Sequence, residues 1–330
     1  MAGSKPTILI TGANGFIGSR LCRTFLSEGF EVIAGVRKSA DLSALDGLTL
    51  QYRYGDVTYP DSLPAMVSGV DYIIHNAGVT KVKKPAAFFE INAAGTKHLF
   101  DAIELHNPSV RKVIYVSSLA VAGPSSDGTP VTEDDAPRPV TTYGRSKAEG
   151  EKIALSYSDR FHVVAVRPPG VYGPGEKELH ALFKVVYHRL KPYIGNVNRR
   201  LQLVHVEDLC RGIALATTAE TKTGSIYFIA EQQSYTMREL IMLLARACGR
   251  RGVPLFIPSP IFRLIAACSE CAFKIVGATP MLTRDKTREL LASWEMSTER
   301  ARTELGFESM IPFEQGARET YDWYIKEGWL

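Results

Sequence analysis

The first half of the chain alternates short apolar runs with segments of helical periodicity. Thr7 to Thr11 (TILIT), Glu31 to Val36 (EVIAGV), Thr49 to Tyr54, Val70 to His75 (VDYIIH), Lys112 to Ser117 (KVIYVS) and His162 to Arg167 (HVVAVR) read as six strands. Gly15 to Glu28 sets Phe16, Ile17, Leu21, Phe25 and Leu26 at helical spacing, the stripe expected to face a core. Gly29 closes that helix. Pro85 to His106 and Thr142 to Tyr157 are the next helices. Runs such as YIIH and VIYV lack the alternation of a half-exposed strand, which fits burial on both faces. Strands separated by helices predict βαβ units with right-handed crossovers: an α/β protein with a doubly wound parallel sheet.

After Arg167 the pattern breaks. Pro168, Pro169, Gly170, Gly173, Pro174 and Gly175 crowd into eight positions and mark an irregular segment leaving the sheet. Helices then dominate, at Glu178 to Leu190, Val206 to Thr217, Met237 to Cys248, Pro260 to Val276, Thr298 to Leu305 and Pro312 to Glu327. One strand, Ser225 to Ala230, is expected to return to the sheet. The organisation expected is a sheet domain over 1–175, with 205–230 returning to it, and a smaller, mainly helical unit over 176–204 and 231–330.

Composition narrows the class. The chain has 330 residues, 45% apolar and 22% charged, which suits about two globular units and excludes disorder and coiled coil. Its net charge of +4 is spread along the sequence, and Lys81, Lys83 and Lys84 read as a solvated loop, so no nucleic-acid partner is expected. Met1 to Pro6 lacks the features of a secretory signal. The longest apolar helix, Ile261 to Val276, is interrupted by Arg263, Glu270 and Lys274 and is too short for a membrane span; a helix lying on a membrane is its alternative. Five cysteines, at 22, 210, 248, 268 and 271, make no disulfide framework. Cys268 and Cys271 have no second pair to complete a metal site and read as buried thiols, in keeping with a reducing cytoplasm.

Chemistry enters at the first strand–helix junction. Gly12, Gly15 and Gly18 stand in TGANGFIG between a strand and a helix. Glycines there permit a tight turn and a close approach of a pyrophosphate, and the helix N-terminus offers free N–H groups to it. The loop, with Asn14, Phe16 and Ile17, is a candidate dinucleotide cradle. The second strand ends in Val36, Arg37, Lys38 and Ser39, with cations where a carboxylate would bind a ribose 2′-OH. Arg37 and Lys38 therefore point to the 2′-phosphate of NADP, with NAD the alternative.

Tyr143-Gly-Arg-Ser-Lys147 puts a phenol and an ammonium four residues apart on one helix face. A phenol is a poor base near its ordinary pKa of about 10. A neighbouring lysine charge, with a positive nicotinamide ring, would favour the phenolate. Ser118, at the end of the fifth strand, could hold a substrate oxygen.

TGANGFIG, His75-Asn76-Ala77-Gly78, Asn92 in INAAGT, SSLAVAG, YGRSK, RPPGVYGPG (Arg167 to Gly175), VHVEDL (Val204 to Leu209) and the C-terminal WYIKEGWL together resemble the extended short-chain dehydrogenase/reductases, the NAD-dependent epimerase/dehydratase superfamily. The resemblance covers nearly the whole chain and implies a Rossmann fold with a smaller helical substrate domain. It implies Tyr143 as acid/base, Lys147 as the residue that lowers its pKa and holds the nicotinamide ribose, and Ser118 as the orienting hydroxyl. It places Asp56 and Val57 at the adenine, and Asn76, Ala77, Gly78 and Asn92 along the cofactor, Asn92 either there or in a structural role. Pro168 and Val171 fall on the nicotinamide side. His205 and Asp208 are read as structural ties. A homodimer formed through the helices that carry Asn92 and Tyr143 is the family's common assembly.

Two departures choose a branch. Leu119 and Ala120 follow Ser118 where 4,6-dehydratases carry an Asp-Glu pair, and Gly170 stands where many epimerases have Asn. RPPG, Arg37 and the apolar Pro258 to Gly277 stretch look more like the dihydroflavonol-reductase and 3β-hydroxysteroid-dehydrogenase branches. That stretch lines a pocket for an apolar substrate or is an ordinary core helix. The expectation is a reversible NADP-dependent reductase of a carbonyl or secondary alcohol. A nucleotide-sugar epimerase with retained NAD is the alternative, and a non-catalytic NADP-binding sensor or scaffold the third reading.

Overall fold

The computed structural model describes residues 5–126, 128–276 and 283–330, so the expectations for Met1 to Ser4 and for Gly277 lie outside the described residues. All six strands read from the sequence form: β1 (Thr7–Thr11), β2 (Glu31–Val36), β3 (Gln51–Tyr54), β4 (Tyr72–His75), β5 (Lys112–Val116) and β6 (Val163–Arg167). Ile226–Phe228 joins them, parallel to β6. The sheet has seven parallel strands, and Ile226–Phe228, β6, β5, β4, β1, β2 and β3 lie in that order from one edge to the other. Strand order reverses between β4 and β1, which opens a crevice at the carboxyl ends of those two strands.

Helices cover both faces. On one, α1 (Phe16–Ser27) packs with Val206–Thr218; Leu21, Cys22 and Phe25 are buried against Ile8, Ile10, Val32 and Ile213. All five residues of the expected stripe of α1 pack on this core. Cys22 belongs to it, while Phe16, Ile17 and Leu26 are only partly buried. On the other face, α2 (Gly95–His106) and α3 (Thr142–Leu155) bury Leu99, Phe100, Ile103 and Ala154 against Leu9, Ile73, Val113 and Val163. The long helix expected over Pro85 to His106 is continuous but changes pitch, with a π-helical turn at Glu90–Ala94. A π turn in a helix commonly marks a functional site.

The segments outside the sheet hold more strand than expected. Glu178 to Leu190, read as one helix, is a helix only over His180–Tyr187. It gives way to a strand, Leu190–Ile194, that pairs in parallel with Val253–Ile257, also unforeseen. Pro192, Pro254 and Pro258 obscure both strands in the sequence. A further helix, Arg284–Leu291, carries too few apolar residues to announce itself. Ser259–Val276 is helical, but Ile261, Leu264 and Ile265 face solvent, so it is not an ordinary core helix. Cys268 on it is exposed rather than buried. Among the described residues no helix is long and apolar enough to cross a membrane, and no cluster of His, Cys, Asp and Glu could hold a metal.

Candidate functional site

The glycine loop lies at the switch point, between β1 and α1. Gly12 takes a positive φ of 65°, and a Cβ there would come within 3.0 Å of the Ala77 backbone. A Cβ on Gly18 would fall 2.1 Å from the Gly12 carbonyl oxygen, so only glycine lets α1 start this close to the turn. The helix begins after Gly15 with no side-chain cap and no acid in its first turn. Its free N–H groups and positive dipole end are left for an anion, so the cradle fits the pyrophosphate of a dinucleotide.

The loop after β2 lies beside it: Asn14 Nδ2 donates to the Asp41 carbonyl at 3.2 Å. Arg37 and Lys38 are exposed just past the end of β2. Asp56, after β3, accepts from the backbone and hydroxyl of Thr58 at 2.9 and 2.8 Å. Val57 is buried against Gly95 of α2, and its carbonyl accepts from His98.

A buried hydroxyl network shapes the turn after β4. Thr11 Oγ1 accepts from the backbone N–H of Asn76 and Ala77 at 3.1 and 3.0 Å and meets His75 Nδ1 at 3.1 Å. His75 Nε2 reaches Thr96 Oγ1 at 3.1 Å, and Thr96 donates to the Asn92 carbonyl at 2.7 Å. The network suits the Nε2–H tautomer of a neutral imidazole. Burial, helped by the Lys147 charge, pushes His75 down to about 3. An unfolded histidine titrates near 6.5, so below that pH the unfolded chain binds the extra proton. Stability is therefore expected to fall with decreasing pH, by about 1.4 kcal/mol per unit between 6.5 and 3. Urea unfolding across this window checks it: His75→Gln should flatten the slope by about one proton, and an unchanged slope would show that His75 does not titrate on unfolding.

Asn92 lies in the π turn and is buried. Its side-chain oxygen accepts from the Val79 N–H at 2.9 Å, and its nitrogen donates to the Val79 carbonyl and to Ser146 Oγ at 3.1 and 3.0 Å. The amide pins the loop after Gly78 to α3, the structural side of the two roles weighed for it. Gly150 makes this approach possible, because a Cβ there would sit 2.2 Å from the Asn92 carbonyl oxygen.

Tyr143 lies beside the Ser118 hydroxyl past the end of β5, and Lys147, one turn further along α3, reaches the last residue of β5. Thr141 caps α3 through the Gly144 N–H, and the Asp285 carboxylate accepts from the Thr142 N–H at 2.6 Å. Both acceptors satisfy N–H groups of the first turn, where Tyr143 sits. Lys147 is buried; its Nζ donates to the Val116 carbonyl at 2.7 Å and lies 4.3 Å over the Tyr115 ring. Burial pulls its ammonium down to about 7, against the Glu151 carboxylate, which favours the charge. Burial pushes the Tyr143 phenol up to about 12; the neighbouring Ser118 hydroxyl lowers it, and the Glu289 and Glu178 carboxylates raise it. The depression that the sequence leads one to expect from Lys147 is not seen in the protein alone, where burial is the largest influence on the phenol. Ser118 Oγ accepts from the Ala120 N–H at 3.2 Å, and Pro168 accepts from the Leu119 N–H at 2.8 Å, which joins this corner to the segment leading to Val171.

Several members of the site escaped the sequence reading. Glu151 binds Arg167 through Nε at 2.9 Å and Nη2 at 2.5 Å and accepts from Ser117 Oγ at 2.6 Å, all buried. Its spacing, four residues beyond Lys147 on α3, was the available signal. At the mouth, Glu178 pairs with Lys81 and Lys286, and Lys286 pairs with Glu289 at 2.9 Å. No local pattern links these three segments. Asp208 accepts from the Met310 and Ile311 N–H groups, a structural tie as expected.

The chain is similar to known proteins over most of its length. The family model described as "NAD dependent epimerase/dehydratase family" matches residues 8–230. The chain is 27% identical to a 3 beta-hydroxysteroid dehydrogenase/Delta 5-->4-isomerase of Mycobacterium tuberculosis, covering 96% of this chain and 90% of the relative. It is 26% identical to a ceramide reductase of Caulobacter vibrioides, covering 99% and 97%. Among solved structures, the crystal structure of gox2253 superimposes with a TM-score of 0.83 at 25% identity, covering 98% of this chain and 99% of that one.

Proposed function

The chain belongs to the NAD-dependent epimerase/dehydratase family, and from that premise we propose an NADP-dependent oxidoreductase that interconverts a carbonyl and a secondary alcohol on an apolar substrate. The observation that carries the reading is Tyr143 beside the Ser118 hydroxyl, with Lys147 one turn further along α3 donating to the Val116 carbonyl and buried Leu119 and Ala120 next to Ser118. Apolar residues at 119 and 120 leave no second acid/base pair for a dehydration there. The glycine loop holds the pyrophosphate, and Arg37 and Lys38 hold the 2′-phosphate. Bound at this cradle, the nicotinamide supplies or accepts the hydride.

The chain's own residues manage the proton. Ser118 orients the substrate oxygen. Tyr143, whose phenol is protonated across the physiological range, donates to that oxygen during reduction and takes the proton back in oxidation. Lys147 donates to the Val116 carbonyl while the Glu151 carboxylate favours its charge, and its assigned role is to hold the nicotinamide ribose and, with the cofactor bound, to favour the phenolate. The two relatives reported above are named for a hydroxysteroid and a ceramide, both apolar molecules with a hydroxyl, which supports the substrate class.

Two measurements test the reading. Arg37→Ala is expected to lower the preference for NADPH over NADH by roughly tenfold or more, the loss of a charge-assisted hydrogen-bond pair. An unchanged ratio of the two affinities removes Arg37 from the cofactor site. The purified protein, denatured, is expected to release little nicotinamide dinucleotide. Near-stoichiometric NAD in that extract would instead favour the epimerase, which re-reduces its substrate on a retained cofactor.

A further inference from the structure

We infer that the surface formed by the strand Val253–Ile257 and the helix Ser259–Val276 docks the protein onto an anionic lipid bilayer. The strand pairs on one side with Leu190–Ile194 and is exposed over nearly its whole length. Val253 is 66% exposed and Phe256 61% exposed. Pro258 leads directly into the helix, where Ile261, Leu264, Ile265 and Cys268 stand at i, i+3, i+4 and i+7. That spacing is the apolar stripe of an amphipathic helix, yet it faces water: Leu264 is 63% exposed, while Phe262 and Ala266 make the buried contact. A contiguous apolar face of this kind marks a surface that another phase or molecule covers.

The charge around the face identifies the occupant. No Asp or Glu occurs between Glu178 and Glu207 or between Glu239 and Glu270. These two stretches carry nine of the chain's 39 lysines and arginines and none of its 35 acids, although the remainder of the chain is net acidic. Arg189, Arg246, Arg251 and Arg263 are exposed on them, and Lys191 partly so. Arg246 meets Glu314 only at 3.9 Å. Cations surrounding an apolar face match lipid headgroups above acyl chains. Insertion of the apolar stripe and attraction of the arginines to anionic headgroups then add.

The helix that carries the docking face is tied to the segment that holds α3. Glu270 accepts from the Arg284 N–H at 2.7 Å, and the helix that follows Arg284 carries Asp285, which holds the first turn of α3, and Glu289. Entry of an apolar substrate from the bilayer at this mouth rests on the proposed function; the docking itself does not.

Cosedimentation of the full chain with vesicles tests docking without reference to turnover. Vesicles of phosphatidylcholine with about one-third phosphatidylglycerol are expected to retain the protein, and phosphatidylcholine alone to retain much less. Arg251→Glu/Arg263→Glu should weaken partitioning by on the order of tenfold, and salt should do the same. Phe256→Ser/Leu264→Ser should weaken it on both kinds of vesicle. All four side chains are exposed, so the unfolding midpoints should stay near that of the parent; if the apolar variant is unfolded, the charge variant decides alone. Equal binding to both vesicle types, or binding unchanged in the charge variant, overturns the inference. So does a dimer in sedimentation equilibrium that Phe256→Ser/Leu264→Ser converts to monomer, since the face would then cover a second copy.

Discussion

Tyr143→Phe is expected to lose about 10²–10⁴ in turnover while keeping its affinity for the nicotinamide cofactor. In the proposed reaction the phenol exchanges a proton with a substrate oxygen beside Ser118. Phenylalanine keeps the ring and its contact with Phe88, whose centroid lies 5.9 Å away, so the walls of the site should not change. The loss should appear in kcat and kcat/KM together, because the interaction removed is made only in the transition state. Titration of the variant with NADPH, alongside single-turnover rates, separates binding from chemistry. Turnover near that of the parent would remove Tyr143 from the proton transfer. Proportionate losses of turnover and cofactor affinity would instead mean that the phenol mainly shapes the cradle.

The second large effect is on stability. Glu151→Ala is expected to destabilise the fold by about 3–5 kcal/mol, read from urea unfolding. Arg167 is 2% exposed, its Nη1 has no hydrogen-bond partner among the described residues, and Glu151 supplies its counter-charge. Without that carboxylate a guanidinium stays in the core unpaired, and Ser117 Oγ loses its acceptor. The double variant Glu151→Leu/Arg167→Met should recover much of the loss, since it removes the buried charge rather than orphaning it. Equal destabilisation in single and double variants would place the effect in packing and not in charge. Lys147 provides a second readout. Glu151 favours its ammonium, so in Glu151→Gln the lysine should titrate below about 7, and a pH–rate limb that reports it should move to lower pH.

The elements that were legible in the sequence share a physical cause. Strands buried on both faces are continuous apolar runs, and the glycine loop needs backbone that only glycine supplies, so β1, β2, β4, β5, β6 and the cradle could be read locally. Tyr143 and Lys147 were legible because helical spacing alone puts them on one face. Strands outside the sheet were not. Leu190–Ile194 and Val253–Ile257 contain prolines and lie about sixty residues apart, and each is a strand chiefly because the other is its partner.

By itself, then, the sequence determined the alternating strands and helices of the sheet, the glycine loop and the residues proposed for catalysis. All of these rest on local spacing and on residue type. Only the tertiary structure decided the protonation tendencies of that set. Burial lowers Lys147, raises Tyr143 and keeps His75 neutral, and the Glu178 and Glu289 carboxylates, from distant segments, raise Tyr143 further. The tertiary structure also decided that the apolar stripe of Ser259–Val276 faces water. Periodicity marks an apolar face on a helix, but whether protein or solvent meets that face depends on what packs there, and no local pattern records it.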